Sequence, residues 1–275
     1  MPKTEKVHYI SDMAHRAKKS LGQHFLRSAS AVRSIVTAGN LSPKDLVLEI
    51  GPGEGVLTRA LLDTGATIIA VEKDRDLIPL LSETFAAELA SGQLRLLHMD
   101  VLDFKPKEHG LSAGNYKLIA NIPYYITGAI MEQFLENADY PSVIVFLIQK
   151  EVAQRAVARD GKESILSIAV KAFGTPRIAA KVPASAFRPA PKVDSAILAI
   201  DSISHTRFKT GNIRHFFSIV RAGFAHKRKL LARNLETIAK PAAIQKTFSE
   251  LNLSPNTRAE TVPIQTWIHL AEHLK

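Results

Sequence analysis

The chain has 275 residues, 46% of them hydrophobic, and its 36 Lys and Arg against 26 Asp and Glu give a net charge of +10 and an isoelectric point near 9.7. That length supplies one large or two modest domains with a proper core, no apolar stretch approaches a membrane span, and the polar start lacks the apolar segment of a secretory signal, so a cytoplasmic protein without a membrane partner is expected. With no cysteine, disulfides and thiolate metal sites are excluded, and the ten His show no ligand-like spacing, so no metal is expected either.

The positive balance calls for an anionic partner, and its distribution sharpens the point. Met13 to Lys44 holds no Asp or Glu and carries Arg16, Lys18, Lys19, Arg27 and Arg33. Within it, Ser28 is a good N-cap for a helix over Ala29 to Ala38, with Val32, Ile35 and Val36 as its apolar stripe and Gly39 as its stop. From Asp45 to Gln149, strands are predicted at Leu46 to Ile50, Thr67 to Val71, Leu94 to His98, Lys117 to Ala120 and Val143 to Ile148. Helices are predicted between them at Val56 to Leu62, Asp74 to Leu89 and Gly128 to Leu135. This alternation is that of an α/β parallel sheet covered by helices on both faces. Pro79 must kink the second helix or fix a late start, because it has no backbone N–H to donate.

After Glu151, helices are expected at Val152 to Ala158 and Ile165 to Ala172, then strands around Ile178 to Val182 and Ser195 to Ile200, which would close the sheet edge as an antiparallel hairpin. Ser164 to Val193 is a second acid-free stretch, with Lys171, Arg177, Lys181, Arg188 and Lys192 near Phe187. A third, Ser202 to Leu235, holds Arg207, Lys209, Arg214, Arg221, Lys227, Arg228, Lys229 and Arg233. Beyond Ser204 the pattern is helical only: a polar connector at His205 to Gly211, then Ile213 to Gly223, Lys227 to Ile238, Ala242 to Leu251 and Ile264 to Leu274, the last with Trp267 and Ile268 on one apolar face. A small all-helical domain is therefore placed at 205–275 after an α/β domain at 1–204. Three acid-free stretches in one chain favour a phosphate backbone as partner.

Glu49-Ile50-Gly51-Pro52-Gly53-Glu54-Gly55 follows the first predicted strand and precedes a helix, the setting in which glycines let a ligand approach backbone. Its spacing is not that of a dinucleotide binder, and its acids repel a pyrophosphate. They suit a cationic ligand, and S-adenosylmethionine fits. Glu72 ends the next strand 21 positions after Gly51, where an acid accepts from ribose hydroxyls. Asp100, read as the end of the third strand, is placed to accept from an adenine amine of the cofactor. Asn121-Ile122-Pro123-Tyr124 then offers a side-chain oxygen, the carbonyl of Ile122 or Pro123, and an aromatic face, which together suit a target adenine. All four features fall at carboxyl ends of strands, where open parallel sheets bind ligands.

Several segments resemble the ribosomal RNA adenine dimethyltransferase family, in particular its bacterial small-subunit branch, over nearly the whole chain. Lys19-Ser20-Leu21-Gly22-Gln23-His24-Phe25-Leu26 is similar to the family's cofactor-lid motif, and Glu49 to Gly53 to its first core motif. Phe187-Arg188-Pro189-Ala190-Pro191-Lys192-Val193-Asp194-Ser195 and Asn256-Thr257-Arg258-Ala259-Glu260 are similar to further family segments. The resemblance implies a Rossmann-like class I methyltransferase sheet with a lid within residues 1–40. It implies cofactor contacts at His24, Leu26, Gly51, Gly53, Glu72, Asp100 and Asn121. It further implies that Asn121, Pro123, Tyr124 and Phe187 hold an adenine for two methylations, and that Arg221, Lys227, Arg228, Lys229 and Arg233 grip RNA. His24 departs from the commoner Asn of the lid motif, and Ile122 is shared with the related antibiotic-resistance methylases of the large subunit. The implied substrate is a pair of adjacent adenines in the 3′-terminal hairpin of 16S rRNA, within an immature small subunit, and the implied state is a monomer.

Overall fold

A computed structural model describes residues 17–18, 21–208 and 213–274. Arg16, Lys19, Ser20 and Lys209, and with residues 1–16 the first part of the expected lid, lie outside the described residues. A seven-stranded sheet runs in the order β4-β3-β2-β5-β6-β9-β7, where β2 is Leu46–Ile50, β3 Thr67–Glu72, β4 Leu94–His98, β5 Lys117–Asn121, β6 Val143–Gln149, β7 Thr175–Val182 and β9 Ser195–Asp201. The first five strands in that order are parallel, β9 pairs antiparallel with β6, and β7 antiparallel with β9. The expected antiparallel hairpin at the sheet edge is present. Two short strands, β1 (Phe25–Leu26) and β8 (Phe187–Arg188), pair antiparallel outside the sheet.

Successive side chains of a strand point to opposite faces, and here each face builds its own core. Ile144, Phe146 and Ile148 of β6 join Leu48, Ile69 and Leu118 on one side. Val145 and Leu147 join Val47, Ile68 and Ile119 on the other, under helix α1 (Ala29–Gly39) and helix α2 (Val56–Leu62). The first face is covered by α5 (Thr127–Leu135), α6 (Lys150–Ala156) and α7 (Ile165–Phe173), and then by the tail. Among its described residues the tail beyond 204 holds only helices: α8 (Ile213–Gly223), α9 (Leu231–Leu235), α10 (Pro241–Glu250) and α11 (Ile264–His273). Phe216, Leu231, Phe248 and the wholly buried Trp267 belong to the same apolar cluster as the sheet face.

Five expectations need correction. The helix read over Asp74 to Leu89 is broken into a 3₁₀ turn at Arg75–Leu77, α3 (Ile78–Thr84) and α4 (Ala86–Ser91), and Pro79 occupies the first turn of α3, where its missing N–H costs nothing. Gly39 is the last residue of α1, and Asn40 takes the left-handed conformation that ends it, at φ 45°. The helix expected over Val152 to Ala158 begins earlier, at Lys150, and ends at Ala156, with Ala158 at φ 53°. The helix expected over Lys227 to Ile238 shrinks to Leu231–Leu235. There the Asn234 amide donates to the carbonyls of Gly223 at 2.6 Å and His226 at 3.2 Å, so a side chain ends α8 and ties 224–230 into a loop. His205, read as part of a polar connector, instead stacks on Tyr140 with ring centroids 4.1 Å apart.

At Gly55, the N-cap of α2, φ is 82°, and an added Cβ would lie 2.6 Å from the Phe85 ring, so conformation and packing both demand glycine. Gly55→Ala is expected to cost about 2 to 4 kcal/mol, the sum of a left-handed penalty and an overpacked core. Urea unfolding would measure it, and a cost below about 1 kcal/mol would refute the constraint.

Candidate active site

Strand order reverses direction across β2, whose neighbours are β3 and β5, and a pocket opens beyond the carboxyl ends of these strands, as the topology dictates. His24, Leu26, Gly51, Gly53, Glu72, Asp100, Asn121, Pro123, Tyr124 and Phe187 all line it. The parallel register of β2, β3 and β5 brings Gly51, Glu72 and Asn121 together, and the antiparallel pairing of β1 with β8 adds Phe187 from far along the chain. Two sequence expectations are revised. Glu49 does not face the pocket: it shares the face of Val47, is wholly buried, and neither carboxylate oxygen has a hydrogen-bond partner. Asp100 does not end a strand: β4 stops at His98, and Asp100 caps a 3₁₀ turn through Leu102 N at 3.0 Å while its other oxygen pairs with Lys73 Nζ at 2.6 Å.

Glu72 is 6% exposed, and each of its oxygens accepts a backbone N–H, from Gly53 at 3.2 Å and Asp74 at 2.7 Å. Burial pushes its carboxyl above the usual range despite those bonds. The acid thus fixes the glycine loop relative to the end of β3, with lone pairs left to accept from a ligand. Asp74, 2% exposed, carries the lid in turn: Lys18 Nζ lies 2.5 Å from one of its oxygens and Gln23 Nε2 donates to the other at 2.7 Å. Lys18 also pairs with Asp76 at 2.7 Å, and Arg27 with Glu54 of the glycine loop at 2.6 Å. Glu54 is therefore neutralised by the lid. Burial pushes the Asp74 carboxyl up, but the bonds from Lys18 and Gln23 outweigh it and hold it down at about 2.

Asn121 ends β5, and its Nδ2 donates to His24 O at 3.2 Å, which leaves Oδ1 as the acceptor for a ligand. Pro123 O already accepts from Ile126 N at 3.2 Å and keeps one lone pair. The Tyr124 hydroxyl bonds the buried Ser195 Oγ at 2.8 Å, so the ring is pinned at its far end. Phe187 is 6% exposed and lines the same pocket, its strand β8 paired with Leu26 in β1. His24 Nδ1 lies 2.8 Å from Pro189 O, and since a carbonyl only accepts, Nδ1 carries a proton and Nε2 is the atom left for a ligand.

The five basic residues expected to grip RNA differ in their surroundings. Lys227, Arg228 and Lys229 are exposed together on the loop held by Asn234. Arg233 is exposed but paired with Glu236 at 3.0 Å, and Arg221 lies over the Phe217 ring and lines a second cleft together with Lys227 and Glu136. Sequence reasoning missed Lys18, Gln23 and Asp74 as one network, along with Ser195 behind Tyr124 and Asn234 behind the loop. All are long-range polar contacts without a local pattern. Among the described residues, no group of three His, Asp or Glu could hold a metal ion.

Five parallel strands, an antiparallel pair at one edge and a glycine loop at the switch point define a class I methyltransferase with a Rossmann-like sheet and a helical C-terminal part. The chain belongs to the ribosomal RNA adenine dimethylase family, whose model matches residues 14–275. A ribosomal RNA small subunit methyltransferase A from Dehalococcoides mccartyi is 40% identical over 255 residues, 92% of this chain and 86% of that relative. One from Thermosynechococcus vestitus is 36% identical over 94% of this chain and 97% of its own length. Among solved structures, the 23S rRNA methyltransferase ErmE aligns with a TM-score of 0.73 and 25% identity over 91% of this chain and 99% of its own. A dimethyladenosine transferase from Plasmodium falciparum shares the fold with a TM-score of 0.76 and 24% identity over 90% of this chain and 96% of its own.

Because the Asp74 carboxyl is held at about 2, below its ordinary 3.8, the stability it supplies is complete above the ordinary value and lost as pH falls through the lower one. Asp74→Asn is expected to cost roughly 2 kcal/mol between pH 5 and 8, a gap that closes between about pH 4 and 2. A gap independent of pH in unfolding titrations would contradict the lid latch. Glu49 runs the other way. Burial, only partly opposed by the nearby Thr58 hydroxyl and reinforced by Glu72, pushes it up to about 8. From about pH 5 to 8 the folded chain keeps a proton the unfolded chain has lost, so stability declines by up to about 1.4 kcal/mol per pH unit. Glu49→Gln is expected to flatten that decline, and equal slopes for the two proteins would show the group ionised in the fold.

Proposed function

We propose that this chain transfers methyl groups from S-adenosylmethionine to the exocyclic amine of two adjacent adenines in the 3′-terminal hairpin of 16S rRNA, during maturation of the small ribosomal subunit. The observation that carries the reading is the orientation of Asn121: its amide nitrogen is spent on His24 O, so its oxygen is the group presented at the pocket. The cofactor fits the donor set. Glycines of positive φ, at 67° for Gly51 and 59° for Gly53, bring backbone to the ligand, and Glu72 supplies acceptors for ribose hydroxyls. Asp100 has a lone pair for the cofactor's adenine amine. Among the described residues the only Lys or Arg lining the pocket is Lys73, which is paired with Asp100, so none of them is left free for a pyrophosphate. His24 and Leu26 close the lid side. The small-subunit relatives favour 16S rRNA over the large-subunit substrate of the resistance enzymes.

When bound, S-adenosylmethionine supplies an electrophilic methyl on a sulfonium whose departure is neutral, so no residue has to activate a leaving group. Asn121 Oδ1 and the Pro123 or Ile122 carbonyl would accept the amine hydrogens, two in the first transfer and one in the second, and aim the nitrogen lone pair at that methyl; as the N–C bond forms the S–C bond breaks, the sulfur leaves as a neutral thioether and the nitrogen sheds one proton to solvent. Tyr124, pinned by Ser195, and Phe187 hold the splayed base by stacking. Positioning of this kind can supply roughly 7 to 11 kcal/mol of barrier reduction. The loop of Lys227, Arg228 and Lys229 in the 205–275 helical part holds phosphates, with the base left to the pocket. The protein acts as a cytoplasmic monomer.

Asn121→Ala is expected to lower the rate of methylation about a hundredfold or more while leaving cofactor bound, as read by calorimetry beside single-turnover kinetics. A rate near wild type with cofactor bound would remove the positioning role. Replacing Lys227, Arg228 and Lys229 together by Ala is expected to weaken RNA binding and to flatten the slope of log affinity against log salt by about 2 to 3. An unchanged slope would move the phosphate contacts elsewhere.

A further inference from the structure

The NIPY tetrapeptide is followed by a second tyrosine that the chemistry above does not use. Tyr125 is 63% exposed, the most exposed of the large hydrophobic side chains among the described residues and the only aromatic in that group. It lies in the 3₁₀ turn Tyr124–Ile126 at the mouth of the pocket, and Leu102, 45% exposed, is on the same rim. Its hydroxyl makes no hydrogen bond to a described residue. Tyr124, one position earlier, is turned inward and tied to Ser195.

The ring of Tyr125 is nonetheless held. The turn beneath it is closed by Ile126 N to Pro123 O at 3.2 Å. The lid passes against the ring at Gly22, where an added Cβ would lie 3.4 Å from Tyr125 Cε1 and where φ is 61°. A side-chain-free residue of the lid therefore backs the ring and leaves the rest of it to solvent. An exposed, backed aromatic and an exposed leucine at the rim of a pocket are a poor match for phosphate, which the rest of this basic chain is equipped to bind. They match the apolar face of a base.

A base that enters the pocket leaves its stack and uncovers the faces of its neighbours, a loss that an aromatic placed at the mouth can recover. We propose that Tyr125 is an outer stacking platform for the nucleobase adjacent to the one in the pocket, so that it reads the presence of a neighbouring base while Tyr124 and Phe187 hold the target. The proposal rests on the RNA-adenine reading of the same pocket. With two adjacent target adenines, the base on the platform is the other adenine or its dimethylated form, whose added methyls enlarge the apolar face. Tyr125 is thus a specificity-determining residue and takes no part in the transfer itself.

The test pairs two stem-loop RNAs, one with two adjacent adenines in the loop and one in which the neighbour of a single target adenine is an abasic nucleotide, with wild type, Tyr125→Phe and Tyr125→Ala. On the first RNA, Tyr125→Ala is expected to lower kcat/KM about 5- to 100-fold and Tyr125→Phe by less than about twofold, since the face and not the hydroxyl is used. On the abasic RNA, wild type should fall to the level of Tyr125→Ala, with affinity for S-adenosylmethionine the same in all three proteins. An equal loss for Tyr125→Ala on both RNAs, or a loss explained by weaker cofactor binding, would overturn the proposal and make Tyr125 a support for the lid. A wild-type protein inactive on both RNAs and on undermethylated immature small subunits would overturn the adenine reading itself, and the platform with it. Activity on both RNAs that does not depend on the neighbour would overturn the platform alone.

Discussion

The carboxylate of Glu72 is the interaction on which the rest of the site depends. It is an acid kept almost wholly out of water, a state that costs several kcal/mol unless its oxygens are hydrogen-bonded. Here the compensation comes from two backbone N–H groups, of Gly53 in the glycine loop and of Asp74 in the turn after β3. The residue proposed to supply ribose acceptors therefore also sets the distance between the glycine loop and the turn after β3. Asp74 carries the chain of contacts onward to Lys18 and Gln23, so the lid is fastened to the same turn that holds the cofactor acid. The second contact between lid and site runs from His24 O to Asn121, the residue proposed to orient the amine. Lid position and amine geometry are coupled through short, direct bonds.

The two apolar cores explain how such a site is kept rigid while a helical tail is added. One face of the sheet is closed by α1 and α2, which carry the glycine loop, and the other by α5 to α7 and the helical tail. The tail shares its core with the sheet face, so the exposed Lys227 to Lys229 loop is placed relative to the pocket by packing. Asn234, buried among apolar side chains, spends its amide on the loop's two carbonyls, which is a better use of a buried polar group than leaving those carbonyls unpaired.

Much of this was legible in the amino-acid pattern because the relevant physics is local. Strand runs such as Val143 to Ile148 are apolar on both sides, as a parallel sheet requires, and the capping Ser28 and the glycine loop act within a few residues of themselves. The order of glycine loop, Glu72 and Asn121 along the chain translated directly into positions at successive strand ends. Charge was legible only in part. Stretches free of acids in the sequence are not free of them in space: Lys171 finds Glu163, Arg177 finds Asp201, and Arg27 finds Glu54. Glu49 could not be placed either, since two residues of β2 that differ by one position face opposite cores, and its side chain falls on the buried side. Residues 227–230 belong to a loop and not to the helix expected over Lys227 to Ile238, because the Asn234 side chain holds the carbonyls of Gly223 and His226, a contact across eight to eleven residues with no local pattern.

A pocket that binds by position alone places the whole burden of specificity on what is brought to it. The measurement that tests the account most directly is mass spectrometry of ribosomal RNA from undermethylated immature small subunits, and separately from large subunits, incubated with the protein and methyl-labelled S-adenosylmethionine. The account predicts dimethyladenosine at two adjacent adenines of the 3′-terminal hairpin of the small-subunit RNA and no label in large-subunit RNA. Label in the large-subunit RNA, or none in either, would contradict it.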